Sequence, residues 1–219
     1  MIKTALLKIV VLVATGFFSL PAASSALDAI VPLSMQDVVA AVESHFGAVN
    51  DMTAKIVQKN FLKSVNKTQV FEGALWIKKP GRLRLEYTNG QMILVDNKNA
   101  LFYSRKNEQA IKKSFTDFEH MNIPVTFLLG AGNIQRDFDV AIPEADKPRQ
   151  LELIPKKTGA AMKKLRLQTD DSGRITGIMI YDKSGNTTEI AFADMQEGKG
   201  VDDKIFIFKA PKGTEIVEQ

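Results

Sequence analysis

The chain has 219 residues, of which 45% are hydrophobic and 25% charged, and its formal net charge is +4. This length is enough to bury a hydrophobic core as one domain. The sequence contains no cysteine, which excludes disulfide bonds, a thiol nucleophile and a lipid anchor attached through cysteine.

The N-terminal residues 1–26 have the layout of a secretory signal peptide. Lys3 and Lys8 precede an apolar core, and small residues lead up to Ala26. A membrane anchor is the alternative, but an apolar core of about 12 residues is shorter than the roughly 20 that span a bilayer. We expect cleavage after Ala26, which would leave residues 27–219 as one soluble, exported domain with nearly balanced charge.

The first predicted element is a helix that begins after Ser34 and ends at Gly47. Ser34 is followed three residues later by Asp37, which is the spacing of a helix-capping pair. Apolar residues recur at helical spacing through this segment, namely Met35, Val38, Val39, Val42 and Phe46. The helix is therefore amphipathic, and its apolar stripe needs a surface to pack against.

A series of β-strands follows, because the apolar period changes to two from Thr53 onward. The predicted strands are Thr53–Leu62, Gln69–Lys78, Arg82–Thr88, Gln91–Val95, Ala100–Tyr103 and Gln109–Lys113. Tight-turn sequences such as Asn89-Gly90 separate them. Connections this short predict antiparallel neighbours rather than helical crossovers.

The strand pattern breaks after Lys113, and a short apolar helix is predicted from Pro124 to Leu129. Further strands are predicted at Phe138–Ile142, Gln150–Ile154, Lys163–Thr169, Ile175–Tyr181 and Thr187–Phe192, and the tail adds one more strand and a Pro-Gly turn. The sequence thus predicts an α+β fold with about eleven antiparallel strands. A sheet of that width must curl, since a flat sheet would leave one apolar face in water, and the helices can then cover its concave side.

Residues that could perform catalysis form no recognisable constellation. His45 and His120 are the only histidines, and neither has metal-ligand spacing to a second ligand. We interpret the pairs Asp170-Asp171 and Asp202-Asp203 as turn residues and solvated charge. The sequence therefore favours a protein with no enzymatic activity, no cofactor and no metal.

Lysine pairs occur at positions 78–79, 112–113, 156–157 and 163–164. They are spread over many strands, have no aromatic residues between them and are nearly balanced by acidic residues. We interpret them as solvated strand charges rather than as contacts to nucleic acid or to an anionic membrane.

The most informative surface is apolar. The segments QMILV at 91–95 and ALFY at 100–103 are apolar on both faces, which is typical of strands that are covered on both sides. A plain hydrophobic core and a cavity for an apolar ligand both fit this pattern, and the residues alone leave the two open.

Several segments in sequence order resemble the LolA family of periplasmic outer-membrane lipoprotein carrier proteins. They are the amphipathic helix after Ser34, Gln58 in the first strand, GALWIKKPGRLRLEY at 73–87, QMILVDNKNALFY at 91–103, the apolar helix Pro124–Leu129, LELIP at 151–155, IYDKSGNTTEIAF at 180–192 and FIFKAPKGTEI at 206–216. The resemblance extends from about Ser34 to Ile216. The order and spacing of these segments together carry the resemblance.

The resemblance implies an incomplete, unclosed antiparallel β-barrel with a helical lid over a hydrophobic cavity that holds the acyl chains of a lipoprotein. It also implies a periplasmic monomer, loaded by an inner-membrane lipoprotein-releasing ABC transporter and unloaded at an outer-membrane receptor or at the outer membrane itself. The residues expected to line the cavity and lid are Val38, Val42, Phe46, Leu75, Ile77, Leu83, Leu85, Tyr87, Leu94, Phe102, Phe127 and Leu128.

Lys79 departs from the family pattern, since the family typically has an inward-reaching arginine here that hydrogen-bonds the lid. The two-residue period places Lys79 on the same face as Leu75 and Ile77. Lysine offers three donors where arginine offers five in a planar fork, so our hypothesis is a more loosely held lid. The alternative is a Lys79 side chain that extends into solvent.

Three other functions stay open at this point. The same fold could serve a carrier or sensor of another lipid, or of mislocalised lipoproteins. A secreted lipid-active hydrolase would need a nucleophile and a base, and a purely structural β-domain would have a filled core that takes up no apolar ligand.

Overall fold

Twelve β-strands form one continuous sheet in the part of the chain that the structure describes. The structure is a computed structural model, and it describes residues 33–115, 128–129, 134–156 and 162–218. The predicted signal peptide and most of the predicted helix Pro124–Leu129 lie outside the described residues. Leu33–Gln219 form one compact unit.

Most of the regular secondary structure in the described residues is β-strand. The strands are β1 Asp51–Leu62, β2 Lys67–Lys78, β3 Arg82–Tyr87, β4 Gln91–Val95, β5 Asn99–Ser104, β6 Gln109–Ser114, β7 Phe138–Ala141, β8 Gln150–Pro155, β9 Met162–Thr169, β10 Ile175–Asp182, β11 Thr187–Glu197 and β12 Glu215–Glu218. The helices that lie wholly within the described residues are α1 Met35–Ala48 and the one-turn α2 Ile134–Asp137, with 3-10 turns at Lys63–Val65 and Asp203–Phe206.

The sheet is open, with the spatial order β12-β6-β5-β4-β3-β2-β1-β11-β10-β9-β8-β7. Neighbouring strands are antiparallel except for β12, which pairs parallel with β6. The predicted unclosed, mainly antiparallel sheet with few helices is therefore confirmed. The prediction of antiparallel pairing throughout is wrong for β12, because the chain after β11 crosses the outside of the sheet before it reaches β6 and so arrives in the same direction.

One face of the sheet, the inner face, carries the main hydrophobic core. Leu75 pairs with Leu85 and Ile77 with Leu83 across β2 and β3, and all four are at most 5% exposed. Inward side chains from β8 to β11 join the same cluster as those from β1 to β5. Both ends of the sheet therefore contribute to one core, which requires the sheet to curl around it.

The helix α1 supplies the third part of this core. Ser34 accepts a hydrogen bond from the Asp37 amide, and the Asp37 carboxylate accepts one from the Ser34 amide, which forms the predicted capping box. The helix then presents Val38, Val39 and Val42 to the sheet. The capping pair fixes where the helix begins, and the spacing of the three valines sets which of its faces meets the core.

The outer face of the sheet carries a second, smaller core. Met92 and Leu94 of β4 pack there with Val201 and Phe206, which belong to the segment between β11 and β12. Lys78 donates a hydrogen bond to the Val201 carbonyl over 2.8 Å. This segment therefore covers the outer face of β2 to β5 on its way to β6.

Candidate ligand-binding site

The helix α1 covers the inner face of the sheet, and its apolar residues pack closely against that face. Val38, Val39 and Val42 are only 1–3% exposed, and Leu128 and Ile134 join them in the same cluster. The Glu43 carboxylate also accepts a hydrogen bond of 2.9 Å from the Ile134 amide at the start of α2. Before its last turn, α1 is thus held by apolar packing and by the hydrogen bond between Glu43 and Ile134.

The turn between β9 and β10 presses against the backbone of α1. Gly173 in this turn has a φ of +81°, and a Cβ atom there would lie 2.4 Å from the Ala41 carbonyl group. Only a residue without a side chain permits this approach and this backbone conformation. Gly173 therefore sets how closely α1 can lie on the sheet.

Lys79 joins the end of β2 to the last turn of α1. Its ammonium group donates a hydrogen bond to the Phe46 carbonyl oxygen and lies 4.1 Å from the centroid of the Phe46 ring. The carbonyls of a helix's last turn have no partner within the helix, and a positive charge there is favourable. Burial lowers the pKa of Lys79, because the ammonium group gives up water on entering this position.

A second polar group holds the same end of α1. His45 Nε2 lies 3.1 Å from both carboxylate oxygens of Glu197, which ends β11. Arg174, next to Gly173, places its guanidinium 3.4 Å from the same carboxylate. The last turn of α1 is therefore attached to the sheet mainly through polar contacts, and its first turns mainly through apolar ones.

A small cavity lies beneath this last turn. Its lining includes the apolar side chains of Phe46, Met52, Ile77, Leu128 and Phe192, with Lys79 beside them. The volume that these residues leave free is about 30 Å³, whereas a cavity of ~150 Å³ is known to hold a single benzene. With α1 in this position, the space beneath its last turn is too small for an acyl chain.

Most residues expected at the ligand site do share the inner face. Val38, Val42, Leu75, Ile77, Leu83, Leu85 and Leu128 are buried in the main cluster, Tyr87 and Phe102 pack at its margin, and Phe46 lines the cavity. Phe127 lies outside the described residues. The structure brings these side chains together, and their contact with a ligand stays a prediction.

Leu94 is the exception, and its expected place in the cavity needs correction. In β4 the residues Ile93 and Val95 face the main core, so Leu94 points to the outer face and packs against the second cluster. The QMILV segment is apolar on both faces, and its period therefore did not show which side chains point inward.

The expected site residues include none of the inner-face residues of β8 to β11. Those inner-face residues are Leu151, Leu153, Leu165, Leu167, Ile178 and Ile190, each at most 2% exposed. In the sequence, these residues are indicated by the alternation of apolar and polar residues within LELIP and KLRLQT. The two segments are predicted as strands, but their apolar residues are not among those expected to line the cavity.

One polar pair lies at the margin of the apolar face. The Tyr87 hydroxyl donates a hydrogen bond of 2.7 Å to the Gln58 side-chain carbonyl, and the Gln58 amide donates to Asn60 over 3.0 Å. Burial raises the pKa of Tyr87 to about 12. Tyr87 is therefore a neutral hydrogen-bond donor at the edge of an otherwise apolar surface.

Within residues 33–115, 128–129, 134–156 and 162–218, no group of three or more His, Cys, Asp or Glu side chains is placed to hold a metal ion. In the same part of the chain, every helix is too short or too polar to cross a bilayer.

An open, mainly antiparallel sheet that curls around an apolar core, with an amphipathic helix across its concave face, is an architecture that can enclose an apolar ligand. The model of the family described as outer membrane lipoprotein carrier protein LolA matches residues 47–209. The chain belongs to the LolA family.

Individual relatives agree with this assignment. An outer-membrane lipoprotein carrier protein from Legionella pneumophila is 26% identical over 182 residues, covering 81% of this chain and 88% of the relative. One from Pseudomonas aeruginosa is 26% identical over 193 residues, covering 85% and 92%. The crystal structure of an uncharacterized conserved protein from Thermus thermophilus aligns with a TM-score of 0.51 at 11% identity, covering 84% of this chain and 98% of that one, and so shares the fold.

Proposed function

We propose that the protein carries lipoproteins across the periplasm by enclosing their acyl chains between the inner face of the sheet and α1. The observation that supports this most is the closure itself. A mainly apolar face is covered by a helix whose last turn is attached chiefly through Lys79, His45 and Glu197. A covering helix with few polar attachments can be displaced without disturbing the sheet beneath it.

The energies of closing and of loading are comparable. Burial of Val38, Val39 and Val42 contributes roughly 5–9 kcal/mol at about 1.5–3 kcal/mol per side chain. Burial of a 16-carbon acyl chain is worth on the order of 12 kcal/mol at ~0.8 kcal/mol per CH₂. One acyl chain can therefore replace the contacts of α1, and α1 regains them when the chain leaves.

The same magnitudes determine how cargo is transferred. A chain held with ~12 kcal/mol relative to water would leave into water far too slowly. Cargo must pass directly from one apolar environment to another, so only the difference in free energy between cavity and destination matters. The donor is then the inner-membrane ABC transporter, and the acceptor is an outer-membrane receptor or the outer membrane itself. No step of this transfer needs a catalytic group.

The proposal is tested by adding the purified protein to spheroplasts that retain a radiolabelled, acylated lipoprotein. We expect the lipoprotein to appear in the supernatant as a soluble one-to-one complex. Failure to release it, with another lipid bound to the protein instead, would leave the cavity in place and overturn the proposed cargo.

Two variants of α1 provide a matched control. Val42 lies on the buried face and Ala40 on the exposed face of the same helix. Val42→Asp should abolish release, because it places a charge against the apolar site, and Ala40→Asp should leave release unchanged. Circular dichroism of both variants verifies that the sheet is intact. Equal release by the two variants would exclude the face beneath α1 as the binding site.

A further inference from the structure

A second concave site lies on the outer face of the sheet, away from α1. It is bounded by β3 to β5 and by the segment that crosses from β11 to β12, and its volume is about 390 Å³. This size falls within the usual range for small-molecule sites, roughly 300–1,000 Å³.

The lining of this outer pocket is strongly cationic. Arg84, Arg105, Lys204 and Lys209 contribute to it, and Glu86 is its acidic member. The Arg84 guanidinium group already has partners within the protein, since its Nε donates to Glu86 over 2.8 Å and its Nη1 to the Ile205 carbonyl over 2.6 Å. The positive charge that remains for a ligand comes from the other three side chains.

These three cations have no acidic partner in the part of the chain that the structure describes. The ion pairs found there involve other lysines and arginines, and Arg105, Lys204 and Lys209 are all exposed. Three unpaired positive charges around one concavity favour a ligand that carries at least one negative charge. Phosphate groups are typical partners of such clusters.

The pocket also has an exposed apolar rim. Phe208 is anchored against Tyr103, with the ring centroids 5.5 Å apart. Its neighbour Ile207, also in the pocket lining, is 56% exposed and stands between Lys204 and Lys209. An apolar side chain flanked by cations is the combination that adsorbs to the surface of an anionic bilayer.

We propose that this outer pocket binds the phosphate headgroup of an anionic phospholipid and docks the protein on a membrane surface. The cations take the phosphate, and Ile207 lies at the boundary between headgroups and acyl chains. An acidic protein would also be attracted by the charge, but the small concavity and the isolated apolar tip fit a headgroup better. The proposal does not depend on what the inner face carries.

Cosedimentation with vesicles tests it. The purified protein is mixed with vesicles of phosphatidylcholine alone, or of phosphatidylcholine with about a third of phosphatidylglycerol. We expect binding to the anionic vesicles only. Lys204→Ala and Lys209→Ala should each weaken it roughly fivefold, which corresponds to ~1 kcal/mol per charge near the surface. Ile207→Ser should weaken it with no change in net charge.

The double variant Lys163→Ala/Lys183→Ala is the control, since both residues are exposed, unpaired in the described structure and outside the pocket. It removes the same charge as Lys204→Ala/Lys209→Ala and should bind anionic vesicles almost as wild type does. An equal loss in both double variants would show that net charge alone matters and would overturn the site. Absence of binding to anionic vesicles, or binding of inorganic phosphate alone, would overturn docking on a membrane.

Discussion

The Lys79 ammonium group connects the end of β2 to the last turn of α1, beside the contact between His45 and Glu197. Lys79 contacts the carbonyl and the ring of Phe46, so its removal affects the closed position of α1 and little else. The neighbouring Lys78 points to the outer face and bonds Val201 and Asp203. Of these two adjacent lysines, Lys79 therefore binds α1 on the inner face, and Lys78 binds the segment between β11 and β12 on the outer face.

We predict that Lys79→Met will make α1 open more readily. Losing a hydrogen bond from a charged donor and a contact with an aromatic ring should cost the closed state about 1–2 kcal/mol. Hydrogen exchange of the last-turn amides, and the rate of uptake of an apolar fluorescent probe, should then rise roughly 5- to 30-fold. Lys78→Met is the control and should leave both measurements unchanged. The role of Lys79 is refuted if the two variants behave alike.

Lys79→Arg should act in the opposite direction. A guanidinium group keeps the positive charge and offers five donors in a planar fork, so it can bind more than one carbonyl at the end of α1. We expect slower probe uptake and slower release of bound lipoprotein, measured side by side with wild type. Unchanged uptake and unchanged release would show that the number of donors at this position has no influence on closure.

At the level of elements, α1 and the turn that supports it form the adjustable part of the fold. Gly173 and Gly185 occupy equivalent turns of successive hairpins, with φ of +81° and +86°. A side chain at Gly173 would meet the α1 backbone, whereas one at Gly185 would meet the flexible Lys63 side chain. The two glycines share the same backbone strain and differ in what a Cβ atom would displace.

We therefore predict that Gly173→Ala and Gly185→Ala will both lower the free energy of unfolding by about 1–2 kcal/mol, because alanine is disfavoured at positive φ. Gly173→Ala alone should also displace α1. Urea denaturation measures the loss of unfolding free energy that both variants share. Hydrogen exchange of the α1 amides measures the displacement of the helix, which we expect in Gly173→Ala alone. Identical exchange in the two variants would mean that the close approach to Ala41 does not position the helix.

The elements differ in how far their sequences determine them. Ser34 and Asp37 fix the start of α1 locally, and tight turns such as Asn89-Gly90 fix antiparallel neighbours, so both were predictable. The parallel pairing of β12 depends on a crossing segment held by contacts distant in sequence, such as Val201 with Lys78. Local patterns contain no information about such contacts. The same holds for His45 and Glu197, which are separated by 152 positions.

At the scale of the whole molecule, the sheet separates two cores with different tasks. The inner core is covered by α1, and the outer core by the segment leading to β12. Leu85 and Leu94 lie on adjacent strands and face opposite cores, at 1% and 7% exposure. Comparing variants of these two leucines therefore separates the contribution of a buried leucine to stability from its contribution to ligand binding.

Truncation of each leucine to alanine should cost about 2–5 kcal/mol of unfolding free energy, because each leaves a cavity in a packed core. The cavity at Leu85 opens on the inner face, where an acyl chain can fill it, and the cavity at Leu94 does not. Since a ligand stabilises the folded state in proportion to its binding, a soluble acyl probe should raise the melting temperature of Leu85→Ala more than that of wild type. The increment for Leu94→Ala should equal that of wild type. A changed increment for Leu94→Ala would place part of the ligand site on the outer face and contradict the separation of the two cores.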